Sequence, residues 1–256
     1  MRTAEFPDGI VIHADWSAEP VQGALRALGP FPLVVADPPY GGVVKESWDI
    51  EARAAGQHAY ANTLLEWTRL AGELLHPGGA LYIWGGTGSP GFRPFFEYLS
   101  RLDRECAPLA LSTLVTWSKK RAYGTKHSYL YTREECAYVV NGDPKKPRLF
   151  NVPLLDQKRG YAGFNAKHPA KSEYLRRTNV WTDVTELFKG KMHPCEKPAR
   201  LAEIMIETHT APGETVLDPF AGSGSTAVAA RKLGRRFVLV EKDLVTYEKI
   251  VGRLNA

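Results

Sequence analysis

Cysteine is scarce: Cys106, Cys136 and Cys195 are all that 256 residues contain. They are odd in number, far apart and never paired as CxxC, so they support neither a disulfide framework nor a zinc site, and no metal is expected. Long apolar runs are missing too. Nothing approaches the roughly 18 consecutive apolar residues of a membrane span, and the N-terminus lacks the basic-then-apolar order of a signal peptide. These absences predict a soluble protein of a reducing cytoplasm. No internal repeat or low-complexity tract stands out. At 44% hydrophobic and 24% charged residues the chain can bury a sizeable core as one α/β domain.

Acidic residues are short in one place. The formal net charge is +5, yet between Asn141 and Lys191 stand 11 Lys/Arg and 5 Asp/Glu, a net +6 that leaves the rest of the chain at −1. Phe150, Tyr161, Phe164, Tyr174, Trp181 and Phe188 interleave with these cations. Positive side chains neutralise phosphates and flat rings stack on bases, so the stretch has the makings of a nucleic-acid surface. Lys145, Lys146, Arg148, Lys158, Arg159, Lys171, Arg176 and Arg177 are its candidate phosphate contacts. The competing reading is a solvated loop region whose aromatics form a small satellite core.

Against this background one tetrapeptide stands out. Asp37-Pro38-Pro39-Tyr40 closes the apolar run Leu33-Val34-Val35-Ala36, where a buried strand gives way to a loop and open α/β sheets place their chemistry. Asp-Pro also simply starts turns, and two prolines cannot continue a central strand. Near the other end, Thr215-Val216-Leu217-Asp218-Pro219-Phe220-Ala221-Gly222-Ser223-Gly224-Ser225-Thr226 runs from a β-rich segment through two glycines into a helical stretch. Glycines at such a turn let the backbone approach a ligand closely. The next apolar strand, Phe237–Val240, ends on Glu241, the usual place for a carboxylate that accepts hydrogen bonds from ribose hydroxyls. Alone, this pattern suits NAD as well as S-adenosylmethionine. Only 15 residues follow Glu241, so the remaining strands of the sheet have to come from the N-terminal part, near residues 10–14, 33–37 and 80–84.

Elsewhere, Ala61, Leu64, Leu65, Thr68, Ala71, Leu74 and Leu75 recur at helical spacing up to the stop signal Pro77-Gly78-Gly79. Leu111–Trp117 and Cys136–Val140 read as short strands, an antiparallel pair. Pro198–Thr208 reads as a helix with Leu201, Ile204, Met205 and Thr208 on one face. Asn141–Lys191 has no clear periodicity.

A β-α-β unit that closes the chain and borrows its other strands from the beginning is a permuted arrangement. In that order the chain resembles the β-class amino-methyltransferases of DNA, with Asp-Pro-Pro-Tyr first, a target-recognition segment next and the Phe-x-Gly-x-Gly block last. Three further pieces are similar: Lys191-Met192-His193-Pro194-Cys195-Glu196-Lys197-Pro198 just before the cofactor block, Ile12-His13-Ala14-Asp15, and His76-Pro77-Gly78-Gly79 with the strand Ala80–Trp84. The resemblance implies a Rossmann-like class I methyltransferase fold: a mostly parallel seven-stranded sheet with an antiparallel end hairpin and circularly permuted motifs. Residues 1–140 would be its catalytic part, 141–190 an inserted recognition segment and 191–256 the cofactor-binding part.

It further implies S-adenosylmethionine as cofactor and double-stranded DNA as partner, and leaves open a homodimer and a cognate restriction endonuclease. Asp37, Pro38 and Tyr40 would bind and activate the target amine, with Pro39 shaping the turn. Asp218, Phe220, Gly222, Gly224 and Thr226 would line the cofactor, Glu241 would take its ribose hydroxyls and Lys197 its carboxylate. Asp15 would contact the cofactor's adenine, or else cap the next segment. Trp117 and Lys119 match a Trp-x-Lys element near the target pocket, although a strand Trp is as readily core.

The chemistry has a physical reason for these residues. The lone pair of an exocyclic amine such as adenine N6 is delocalised into the ring until acceptors draw its N–H groups out of plane, and the Asp37 carboxylate with the Pro38 carbonyl would supply two. Tyr40 offers a face for a base taken out of the stack. Asp at position 37 favours adenine over cytosine N4, where Ser is common. Pro194-Cys195 resembles the nucleophile of cytosine-C5 enzymes, which attack the ring covalently and do not pair it with Asp-Pro-Pro-Tyr; Cys195→Ser should therefore retain activity. Two alternatives stay open: a non-catalytic nucleic-acid-binding protein on this fold, and an NAD-dependent oxidoreductase.

Overall fold

Six consecutive buried residues, Phe31–Ala36, mark the middle of the sheet, because a strand covered on both faces has to be apolar throughout. The computed structural model describes residues 1–40, 56–86, 92–124, 126–127, 129–158, 172–187 and 196–256. In chain order the elements are β1 (Arg2–Phe6), β2 (Gly9–His13), α1 (Glu19–Leu28), β3 (Phe31–Ala36), α2 (Gln57–Leu74), β4 (Leu75–Gly85), α3 (Phe92–Glu105), β5 (Leu109–Tyr123), β6 (Tyr131–Asn141), β7 (Leu154–Lys158), β8 (Tyr174–Arg176), β9 (Val180–Trp181), α4 (Ala199–His209), β10 (Thr215–Asp218), α5 (Ser225–Lys232), β11 (Arg236–Glu241) and α6 (Leu244–Asn255).

One sheet runs β1-β2-β11-β10-β3-β4-β6-β5-β9. From β2 to β4 its neighbours are parallel, whereas β6 is antiparallel to both β4 and β5. The expected seven strands are therefore present, with β10 and β11 from the chain end inserted between β2 and β3. Two edge strands extend them. β1 pairs antiparallel with β2 and is mostly exposed, so it carries little apolar signal; β9 adds two residues beside β5. Among the described residues of the 141–190 segment, β7 and β8 form a separate two-stranded sheet.

Alternate residues of the central strands feed two cores. On one face Leu33, Val35, Tyr82, Trp84, Cys136 and Tyr138 pack with Leu201, Ile204 and Met205 of α4, Ala227 and Ala230 of α5 and Ile250 of α6. On the other, Val34, Ala36, Leu81, Ile83, Ala137 and Val139 pack with Leu25 of α1, Leu64 and Leu65 of α2 and Phe95 and Tyr98 of α3. Each large side chain so buried contributes about 1.5–3 kcal/mol. The helix expected over 61–75 exists but stops at Leu74, because Leu75 is already extended and opposite Phe31 in the ladder. α4 is buried well beyond the expected face: Ala202, Ile206 and His209 are covered as well as Leu201, Ile204, Met205 and Thr208.

Candidate active site

Because β2, β11, β10 and β3 are parallel neighbours, the residues at or just past their ends, Asp15, Glu241, Asp218 and Asp37, share one edge of the sheet. Ligands of open α/β sheets bind at that edge. After Ala36 the prolines end the ladder, and the Tyr40 hydroxyl folds back to donate to Asp37 Oδ1 at 2.8 Å. Tyr60 of α2 donates to the Pro39 carbonyl and pins the turn. The other Asp37 oxygen, Oδ2, accepts from Lys197 Nζ at 2.5 Å. Lys197 also donates to the Tyr40 hydroxyl at 2.9 Å and pairs with Glu134 at 3.2 Å. Trp84 walls this group, with its ring centroid 5.1 Å from Nζ.

Glu134 lies one residue beyond the Gly85–Glu135 pair that ends β4 against β6, and its second oxygen accepts from Lys119 at 2.5 Å. Two carboxylates and two ammonium groups thus close a neutral, largely buried network. Burial alone would raise the Glu134 carboxyl, but Lys197 and Lys119 outweigh it and hold it at about 2. Burial would likewise lower the Lys197 ammonium, and the charges of Asp37 and Glu134 instead raise it. The Tyr40 hydroxyl is pushed well above the usual phenol range by burial and by the Asp37 and Glu134 charges. It stays a neutral donor.

The second cluster surrounds the glycine turn. Gly222 and Gly224 have φ of +51° and +76°, the left-handed region that favours glycine. A side chain at Gly222 would meet only the Phe220 carbonyl oxygen, 3.8 Å away, so the backbone there is open to a ligand. Asp218 accepts from the Thr226 hydroxyl at 2.5 Å and from the Phe220 N–H at 3.0 Å. Burial lifts its carboxyl to about 7 against those hydrogen bonds, and the charges of Asp37 and Glu241 add to the rise. Glu241 accepts from the Gly222 and Asp243 N–H groups, each at 2.9 Å. A carboxylate has about four acceptor positions, so two remain for hydroxyl donors. Phe220 packs edge-on against Trp16 and Trp67.

The two clusters are tied together by Arg253 of α6. Its Nη1 pairs with the buried Glu196 carboxylate at 2.9 Å and donates to the Ser223 carbonyl at 2.8 Å. The residue before Lys197 is thereby anchored to the glycine turn. Neither Glu134 nor Arg253 was singled out from the sequence. Glu134 had a signal, since it stands in period-2 register with the buried Cys136 and Tyr138, on the face that carries Trp84.

Several expected site residues are engaged in contacts within the chain. Lys197 points at Asp37, Tyr40 and Glu134 rather than into the glycine turn, because two carboxylates solvate its buried charge. Asp15 caps its own turn, accepting from the Ser17 N–H at 3.0 Å and hydroxyl at 2.7 Å, and pairs with Lys242. Trp117 is core: it is buried and its indole N–H donates to the Val184 carbonyl at 2.8 Å. Lys119 is held by Glu134. Arg177, expected on the phosphate surface, has a buried side chain forked onto Asp183 and stacked near Trp181. Arg148 is paired with Glu214. Lys145, Lys146, Lys158 and Arg176 are exposed, Lys158 beside Glu173 and Arg176 over the Phe150 ring. Arg159, Lys171, His193 and Cys195 lie outside the described residues.

The sequence profile of the N6/N4 DNA methylase family matches residues 31–251. Among individual relatives, the type II methyltransferase M2.DpnII of Streptococcus pneumoniae is 28% identical over 227 residues, covering 82% of this chain and 77% of that protein. The DNA adenine methyltransferase YhdJ of Escherichia coli K12 is 24% identical over 90% of this chain and 77% of its own length. Among solved structures, the M1.HpyAVI–SAM complex superposes with a TM-score of 0.63 at 23% identity, covering 96% of this chain and 98% of that one.

Proposed function

The chain belongs to the N6/N4 DNA methylase family, and within it we propose that this protein transfers a methyl group from S-adenosylmethionine to adenine N6 at a specific site in double-stranded DNA. One observation carries the reading: Asp37 and Tyr40 are built into a buried, charge-balanced network on the same edge as the glycine turn. A non-catalytic binding protein has no need to assemble it.

In this reading the Gly222–Gly224 backbone, Asp218 and Glu241 hold the cofactor, Glu241 through its remaining acceptor positions. S-adenosylmethionine, when bound there, supplies an electrophilic methyl on a sulfonium. The chain's own work is on the amine. Asp37 and the Pro38 carbonyl accept from its two N–H groups, which frees the nitrogen lone pair from conjugation. Lys197, braced through Glu134 and through the Glu196–Arg253 pair, fixes the direction of the Asp37 carboxylate. Tyr40 presents a ring to the extruded base. Adenine is favoured over cytosine by Asp at position 37, and the relative YhdJ is named for adenine.

Sequencing of native genomic DNA from cells expressing the protein tests this. Modified adenine confined to one short motif is the expected result. Modified cytosine N4 at a motif would overturn the choice of base, and unmodified DNA from cells containing folded protein would overturn the function.

A further inference from the structure

The antiparallel pair β5–β6 is longer than the sheet requires. β4 stops pairing at Gly85, opposite Glu135, whereas β5 and β6 pair on through Ser118–Arg133 and, past a bulged stretch of β5, at Tyr123–Tyr131. The four residues from Glu135 back to Tyr131 rise about 13 Å at the usual strand spacing. Because β4 is parallel to β3, that overhang leaves the sheet at the edge where Asp37 sits. It begins at Glu134, inside the catalytic network.

The overhang ends in an unusual surface. Tyr129 is 99% exposed and Leu130 62% exposed between the turn at Lys126–His127 and the start of β6. From Ser118 to Arg133 the chain carries Lys119, Lys120, Arg121, Lys126 and Arg133 and no acidic residue. Lys119 faces Glu134 and Arg133 pairs with Glu135 at 3.2 Å, while Lys120, Arg121 and Lys126 are exposed around the ribbon. The ribbon is also braced from outside: the Glu186 carboxylate accepts from the backbone N–H groups of Lys120 and Arg121, at 2.9 and 2.7 Å. Exposed apolar residues ringed by cations on a projecting two-stranded ribbon match a polyanion with a stacked apolar interior.

We propose that the β5–β6 hairpin is the element that enters the DNA duplex: Tyr129 and Leu130 fill the gap in the stack left by the target nucleotide, and Lys120, Arg121 and Lys126 hold the flanking phosphates. This deepens the DNA methyltransferase reading and rests on it. Apolar wedges between base steps offset the cost of unstacking, and chemistry on a base requires the base outside the helix. The hairpin joins opening and chemistry in one strand, since Glu134 braces Lys197 four residues after Leu130.

The test compares wild type with a Tyr129→Ala/Leu130→Ala variant on a short duplex carrying the motif mapped in genomic DNA. One version has the target adenine paired and one has it mispaired; 2-aminopurine at the target position reports extrusion. On the paired duplex the variant should fall about tenfold or more in kcat/KM, the order of removing one base–aromatic stack, and the 2-aminopurine signal should disappear. Thermal stability and S-adenosylmethionine affinity should not move, and the mispaired duplex should restore activity to within about threefold, because the opening cost is already met. Lys120→Ala/Arg121→Ala should instead flatten the salt dependence of binding by about 0.9 for each phosphate left without its cation. A wild-type rate for the apolar variant on the paired duplex, or an equal loss on both duplexes, would overturn the wedge. Wild-type protein inactive on every duplex would overturn the underlying function, and the wedge with it.

Discussion

At the scale of single residues the site is an exercise in holding charge out of water. Asp37, Glu134, Lys119 and Lys197 tolerate burial only as a set, and removing one member leaves another charge uncompensated. Glu134→Gln should therefore cost about 3 kcal/mol of stability. Its pH dependence carries a sign. The folded Glu134 carboxyl sits at about 2 against an ordinary 4.5, so its contribution is complete above about 4.5 and fades as pH falls toward 2. Asp218 works the other way. Its folded value of about 7 against 3.8 means that the folded state holds a proton the unfolded chain has given up, so stability drops as pH rises from about 4 to 7. Thermal melts from pH 3 to 8 should show Asp218→Asn flattening the upper part of the curve and Glu134→Gln flattening the acid limb; curves parallel to wild type would remove both assignments.

At the scale of elements the cations of residues 141–190 divide into structural and exposed ones. Arg177→Ala should lower the melting temperature by several degrees, at roughly 2–4 °C per kcal/mol for a chain of this size, because Asp183 loses its forked partner beside Trp181. The salt slope of DNA binding should not change. Arg176→Ala should leave the melt alone, and a shallower slope would place it on a phosphate. The distinction was closed to sequence reading, since adjacent arginines look alike until the backbone aims one inward. What could be read in advance was local: the apolar run into Asp37, the glycines before α5, the acid ending β11 and the periodicity of α2. α3 carries the same kind of signal in Phe95, Tyr98 and Leu102 at helical spacing, with Pro94 in a first turn that tolerates it. The Lys197–Asp37 pair joins residues 160 apart in the chain. Nothing local announces such a contact; only the strand order that brings β3 and the start of α4 together does.

At the scale of the whole molecule, a fold that threads its last two strands between β2 and β3 brings Asp37–Tyr40 and the glycine turn, from opposite ends of the chain, to one edge. That convergence has a chemical purpose only if Asp37 acts on the amine that receives the methyl group. Mass spectrometry of nucleosides from unmodified DNA, incubated with S-adenosylmethionine and either wild-type protein or Asp37→Asn, tests it most directly when paired with calorimetry of cofactor binding. Wild type should form N6-methyladenine, and Asp37→Asn should form it about a hundred- to a thousandfold more slowly while binding the cofactor within about threefold of wild type, the pattern of an interaction made only with the reacting amine. An Asp37→Asn protein that methylates at the wild-type rate, or a wild type that binds cofactor and leaves DNA unmethylated, would contradict it.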